Sequence, residues 1–222
     1  MIIVGICGAS GSGKSTFARR IRDSLSCNFV LITQDCYYRS HPELPQEERS
    51  RINFDEPAAF DHDELLADVE RLAAGESIGT KGYDYVRHLR ADRENERIEP
   101  PDVLILEGIH MFFDKRLCEL MALKIYMQVD TDICLLRRVK RDIKVRGRSI
   151  ESISAQYIET VKPMYERYIK RYVDDADFAV MHGGKNVPAI EAISAYMTAK
   201  LLAERFSEGT EVPPIEKIDI PE

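Results

Sequence analysis

The chain has 222 residues, room for one well-buried domain with embellishments and too little for two of full size. With 44% hydrophobic and 31% charged residues and no low-complexity tract, its composition is that of an ordinary globular protein. A net charge of −7 argues against a general nucleic-acid binder.

Taken from the start, Ile2–Cys7 is a continuous apolar run, the pattern of a strand buried on both faces of a parallel sheet. It carries no basic leader or cleavage site, and no later apolar run approaches membrane-spanning length, so a cytoplasmic protein without membrane attachment is expected. A helix is predicted from about Lys14, with Phe17, Ile21 and Leu25 four apart on one face. Phe29–Ile32 reads as a second strand. A charged, proline-containing loop over 37–57 leads to a helix from His62 to Ala73, whose apolar side carries Leu65, Leu66, Val69 and Leu72. Residues 77–98 read as short strands and turns standing outside the main sheet. Val103–Leu106 is a third core strand and Leu123–Val129 a fourth; a helix then begins near Thr131 with Leu136, Val139 and Ile143 as its stripe. A second helical stretch is predicted from Glu151 to Tyr172, a fifth strand at Phe178–Met181, and a last helix after Asn186 carrying Ile190, Ile193, Met197 and Leu201.

Strands alternating with helices, with no hairpin signal in the core, predict an α/β fold on a doubly wound, mainly parallel sheet. One domain is expected over 1–206. From 207 to 222, three prolines and five acidic residues against one lysine predict an acidic C-terminal arm. The five cysteines (Cys7, Cys27, Cys36, Cys118 and Cys134) form no C-x-x-C pair and no zinc spacing, and are read as free thiols.

The densest chemistry is at the front. Gly8-Ala9-Ser10-Gly11-Ser12-Gly13-Lys14-Ser15 matches G-x-x-x-x-G-K-[ST] in full, with Thr16 behind it, between a predicted strand and a predicted helix. Glycines let successive backbone N–H groups face phosphate oxygens, and the helix N-terminus favours the same charge. Lys14 suits the β- and γ-phosphates, and the Ser15 hydroxyl suits Mg²⁺. A P-loop alone does not separate GTPases, ATPase machines and kinases.

What lies opposite the γ-phosphate separates them. Ligands of parallel α/β sheets sit beyond the carboxyl ends of the strands. Asp35 and Glu107 both stand there, and Mg²⁺ is usually held through one or two carboxylates plus phosphates. Asp35 could ligate the metal, take the acceptor hydroxyl's proton, or do both. Between Arg137 and Arg148 the chain places Arg137, Arg138, Lys140, Arg141, Lys144, Arg146 and Arg148 against one acid, Asp142. A plain charged surface is one reading of such a run. Behind a P-loop it reads as a basic lid over 137–150, bringing Arg141 and Arg146 to the phosphate and excluding water.

Together these segments resemble the uridine kinase family of P-loop kinases. The resemblance runs from about residue 2 to 204. It rests on Gly8–Thr16, Gln34-Asp35-Cys36-Tyr37-Tyr38-Arg39, Asn53-Phe54-Asp55-Glu56-Pro57, Tyr83-Asp84-Tyr85 with His88 and Arg90, and Leu106-Glu107-Gly108-Ile109. It continues through Asp130-Thr131-Asp132, Arg137–Arg148, and Gln156-Tyr157 with Val161-Lys162-Pro163. It implies a P-loop NTPase fold and phosphorylation of the 5′-hydroxyl of uridine or cytidine in pyrimidine salvage. ATP with Mg²⁺ is the implied donor, GTP an alternative, and a homotetramer the implied assembly. It further implies Asp35 as base, Glu107 as metal acid, and nucleoside contacts from Asp55, Tyr83, His88, Arg138, Arg148 and Gln156. Three positions depart from the family pattern: Lys81 stands where a proline is usual, His182 where an arginine is usual, and the acidic tail has no counterpart. The competing readings are a pantothenate- or phosphoribulokinase-like acceptor on the same scaffold, or a nucleotide-binding regulator without catalysis.

Overall fold

A computed structural model of the chain describes residues 1–207; all but the first residue of the expected acidic arm, 207–222, lies outside the described residues. In chain order these fold as β1 (Ile2–Cys7), α1 (Lys14–Ser24), β2 (Phe29–Thr33), a 3-10 turn at Gln34–Tyr37, the short helix α2 (Gln46–Arg49) and α3 (His62–Ala73). Four small strands follow: β3 (Ile78–Thr80), β4 (Tyr83–Asp84), β5 (Leu89–Arg90) and β6 (Arg93–Ile98). Then come β7 (Val103–Gly108), α4 (Lys115–Glu119), β8 (Leu123–Gln128), α5 (Thr131–Arg146), α6 (Ile150–Gln156), α7 (Lys162–Arg167), β9 (Phe178–Met181) and α8 (Val187–Ser207).

The core sheet is wholly parallel, in the order β2-β7-β1-β8-β9. Because strand side chains alternate, β1 sends Ile3 and Cys7 to one face and Ile2, Val4 and Ile6 to the other. The first face packs on Leu65, Val69 and Leu72 of α3, the second on Phe17 and Ile21 of α1 and Ile190, Ile193 and Met197 of α8. This is the doubly wound α/β architecture expected. Among the described residues no helix is long and apolar enough to cross a membrane.

The excursion over 77–98 forms two antiparallel pairs outside the core sheet, β3 with β6 and β4 with β5. Its anchor is ionic. Lys81 Nζ lies 2.5 Å from Glu64 Oε1 and 3.6 Å from Asp68 Oδ2 on α3, while Arg90 bonds Glu64 and Asp92. The lysine at the usual proline position thus ties the excursion to a helix of the main body.

Two helices differ from expectation. The stripe read on α5 is largely exposed, Leu136 at 65% and Ile143 at 46%, while Cys134, Arg138 and Asp142 are the buried residues. These three lie four apart, so the face turned inward is charged: it covers a polar chamber, not the core. The helix predicted from Glu151 to Tyr172 is broken into α6, a π-turn at Tyr157–Val161, α7 and a 3-10 stretch at Ile169–Asp175. Pro163 explains the break, since a proline lacks the N–H for a regular turn and its ring crowds the carbonyl four residues back.

Candidate active site

The P-loop joins β1, the middle strand, to α1, whose first residue is Lys14. Gly11 and Gly13 have φ of +89° and +100°, which side-chain-bearing residues rarely adopt. Each is also pressed on a neighbour: a Cβ on Gly11 would strike the Cys134 carbonyl of α5, and one on Gly13 would come within 2.7 Å of the Gly184 nitrogen. Lys14 Nζ curls over the loop and donates to the carbonyls of Gly8 (2.9 Å) and Ala9 (3.0 Å). The Ser15 hydroxyl donates to Glu107 Oε1 at 2.7 Å. Glu107 lies within β7, only 4% exposed, so it is not a solvated strand end. Burial holds its carboxyl above the usual range, against the opposing pull of Lys14 and the Ser15 bond.

Two cavities meet at this point. One, about 500 Å³, is lined by Gly11, Gly13, Lys14, Ser15, Thr16 and Glu107, with Arg137, Arg141 and Arg146 above. The other, about 220 Å³, is lined by Asp55, Tyr83, His88, Arg138, Arg148 and Gln156. Six residues belong to both: Ser10, Asp35, Tyr85, Ile109, Arg141 and Arg146. Asp35, on the 3-10 turn after β2, therefore stands at the junction, its Oδ2 accepting the Tyr85 hydroxyl at 2.9 Å.

The smaller chamber has an aromatic wall and a carboxylate floor. His88 has φ +53° and stacks on Phe54, ring centroids 5.0 Å apart and 12° from parallel. Burial, with Arg148 and Arg146 nearby, lowers the His88 pKa from its ordinary value, so a neutral imidazole faces the chamber at neutral pH. The Tyr83 hydroxyl oxygen is buried with no hydrogen-bond partner in the protein, a polar group lining this chamber. Asp55 is 5% exposed. Its Oδ2 accepts from the Thr160 hydroxyl at 3.1 Å, and its Oδ1 lies 3.8 Å from Arg138 Nη1. Burial raises its pKa, with Arg138 the leading opposing influence. Behind it the buried His110 Nε2 lies 2.7 Å from the Asp55 carbonyl oxygen. A carbonyl only accepts, so His110 carries its proton on Nε2 and its Nδ1 accepts from the Tyr172 hydroxyl at 3.0 Å. Burial lowers the His110 pKa to about 4, which keeps that tautomer neutral.

Three arginines of α5, and Arg148 just beyond its end, converge on one carboxylate. Asp142, with no exposed side-chain surface, lies 2.8 Å from Arg141 Nε, 3.5 Å from Arg146 Nη1, 3.7 Å from Arg138 Nε and 3.8 Å from Arg148 Nη1. Each guanidinium then reaches the site with another edge or its face. Arg138 and Arg148 donate to Gln156 Oε1 at 3.0 and 2.6 Å, Arg141 Nη2 reaches Ser10 Oγ at 3.5 Å, and Arg146 lies over the Tyr85 ring at 4.1 Å. Gly147, left-handed at φ +64°, ends the helix so that Arg148 can turn back.

Every nucleoside-side residue named from the sequence lines the smaller chamber, and Asp35, Arg141 and Arg146 line both. Of the P-loop set, Gly8, Ala9 and Ser12 are buried and line neither. Four residues escaped the sequence reading: Tyr85, Asp142, Thr160 and His110. Tyr85 carried a signal in its Tyr-Asp-Tyr spacing, and Asp142 in being the lone acid of a basic run; the other two carried none.

The chain is similar to known proteins in sequence and in fold. The family model described as "Phosphoribulokinase / Uridine kinase family" matches residues 3–188. A uridine kinase of Vibrio cholerae is 44% identical over 206 residues, covering 90% of this chain and 96% of its own. One of Bacillus cereus is 43% identical over 191 residues, covering 86% and 90%. Among solved structures, phosphoribulokinase from Rhodobacter spheroides superposes with a TM-score of 0.58 at 17% identity, covering 81% of this chain and 69% of its own. D-glycerate 3-kinase from Cryptococcus neoformans superposes at 0.52 and 16%, covering 74% and 78%. At such identities the structures speak for the fold alone.

Proposed function

This chain belongs to the phosphoribulokinase and uridine kinase family, and from that premise we propose that it transfers the γ-phosphoryl group of ATP to the 5′-hydroxyl of uridine and cytidine, serving pyrimidine salvage in the cytoplasm. The observation that carries the reading is the position of Asp35, on the wall shared by the P-loop cavity and the aromatic, carboxylate-floored chamber. A donor in one and an acceptor in the other would meet at that carboxylate.

The roles follow from the chemistry. Backbone N–H groups of Gly8–Thr16 and the Lys14 ammonium hold the phosphates, and Arg141 and Arg146 balance charge developing on the transferring group. Asp55 accepts from the vicinal ribose hydroxyls, and Tyr83 and a neutral His88 meet the polar edge of the base, flanked by Arg138, Arg148 and Gln156. Asp35 takes the 5′-hydroxyl proton. Mg²⁺ fits the oxygen donors present: Ser15, Glu107 and Asp35 would hold it, and when bound it neutralises phosphate charge. Among the described residues no group of three or more His, Cys, Asp or Glu is arranged for a metal, as suits an ion carried largely by the phosphates. The homotetramer implied by resemblance belongs to the same proposal, and light scattering tests it.

A panel of eight nucleosides against ATP and GTP tests the function. Uridine and cytidine are expected to turn over and purine nucleosides to fail, because each pocket group left unpaired costs about 1–3 kcal/mol. Turnover of pantothenate or ribulose 5-phosphate with none on nucleosides would replace the acceptor; ATP binding with no turnover at all would replace the enzyme.

A further inference from the structure

A carboxylate that reads two vicinal hydroxyls must present its plane to them, yet the last torsion of an aspartate is broad and has no strong preference of its own. Something else must hold Asp55. Its main chain is fixed from behind by the His110 ring, itself held by Tyr172 and by the Gln34 side chain, whose Oε1 accepts the main-chain N–H of His110 at 2.9 Å. Its side chain is met by Thr160, on the π-turn Tyr157–Val161.

Thr160 stands four residues after Gln156, so the two share one side of the helix. One residue more per turn rotates the following helix, and such single-turn widenings recur at functional sites. Gln156 lines the chamber just before the turn, and Thr160, the turn's fourth residue, meets the chamber's floor at Asp55. Gln156 receives Arg138 and Arg148, and Thr160 reaches Asp55. The Thr160 hydroxyl lies 3.1 Å from Asp55 Oδ2 and 3.1 Å from the Gln156 carbonyl oxygen. Its single proton leans to the carboxylate, because an ionised acceptor makes the stronger bond.

We propose that Thr160 is a positioning residue for ribose recognition: its hydroxyl pins one oxygen of Asp55 and thereby sets the discrimination between ribose and deoxyribose acceptors. The inference rests on the proposed diol contact of Asp55. One of the carboxylate's four lone-pair sites goes to Thr160, and the other three remain for ligand hydroxyls and Arg138. Without the pin only the 3.8 Å approach of Arg138 orients the carboxylate, and the second ribose hydroxyl loses its aligned acceptor.

The test compares kcat/KM for uridine, 2′-deoxyuridine and 3′-deoxyuridine in the wild type, Thr160→Val and Thr160→Ser, with KM for ATP measured alongside. Thr160→Val keeps the branched shape and removes the donor; Thr160→Ser keeps the donor. Loss of a hydrogen bond to an ionised group predicts a fall of about 10- to 100-fold for uridine and about threefold or less for the deoxy analogues. The ratio therefore narrows in Thr160→Val and returns in Thr160→Ser, while KM for ATP stays put. Equal losses on all three acceptors, or no loss on uridine, overturn the role, since a merely structural threonine would not move the ratio. Thr160→Ala carries the same comparison if the valine variant does not fold. A ribose-selective wild type with an unchanged ratio in Thr160→Val sinks this inference alone; a wild type inactive on every nucleoside sinks the acceptor reading and this inference with it.

Discussion

Asp35 gives one oxygen, Oδ2, to the Tyr85 hydroxyl, which leaves Oδ1 for the acceptor or the metal. Asp35→Asn keeps the shape but can neither take a proton nor carry charge. In the proposed reaction it should lower kcat by about 10²–10⁴ while either KM changes only a few-fold. A loose phosphoryl transition state needs little help from a base, so kinetics at two Mg²⁺ concentrations divide the roles: recovery at high Mg²⁺ assigns the loss to the metal. Near-normal kcat would remove Asp35 from the mechanism. Asp55 makes a different prediction, about pH. Burial raises its pKa above the ordinary 3.8, so on acidification it takes up a proton earlier than a free aspartate does. Acceptor kcat/KM should fall along an acid limb lying above 3.8, with KM for ATP flat across it. Stability runs the opposite way. The folded state binds this proton more tightly than the unfolded one, so the contribution is full below the unfolded pKa and lost as pH rises through the folded pKa. An acid limb shared by both substrates would point to another group.

On α5, periodicity correctly located a helix and misread which face turns inward. Apolar spacing marks the buried side of a helix only where the neighbour is a core; here the neighbour is the site, and Arg138 and Asp142 are the buried residues while Leu136 is exposed. Removing one member of a buried ionic cluster leaves its partners uncompensated. Asp142→Asn should therefore speed amide exchange across Thr131–Arg146 and lower kcat more than tenfold, with exchange in Ile2–Cys7 unchanged. Uniform loss of protection would mean that Asp142 supports the whole fold instead. In the wild type, exchange over Arg137–Arg148 should slow when an ATP analogue and uridine are both present. Identical protection with and without them would leave a solvated basic face as the better account. The π-turn was not legible either, although its cause, Pro163, was: a proline announces an interruption without saying whether the chain will kink, stop or widen.

Across the whole molecule, the residues most readable in sequence are those at the carboxyl ends of core strands. Gly8–Thr16 follows β1, Asp35 follows β2 and Glu107 is the last residue but one of β7; a parallel sheet delivers all three to one edge however far apart they stand in the chain. Thr160 and His110 were silent because their contacts arise from packing, which no local pattern encodes. Ligand binding should register in global stability. At a hundred times Kd a nucleotide analogue adds about 2.7 kcal/mol, which for a chain of this size raises Tm by about 5–10 °C. Lys14→Ala should lose that rise and keep the one given by uridine; loss of both would show one site where two are drawn. The two close-packed glycines of the P-loop carry a last consequence. Gly11 bears on the carbonyl of Cys134 in α5, and Gly13 on Gly184 in the loop after β9. The phosphate cradle is thus a keystone wedged between two abutments, with no slack on either side. Any side chain at either position would have to displace the arginine-bearing helix or that loop, so the cradle and the lid's footing are fitted to one another.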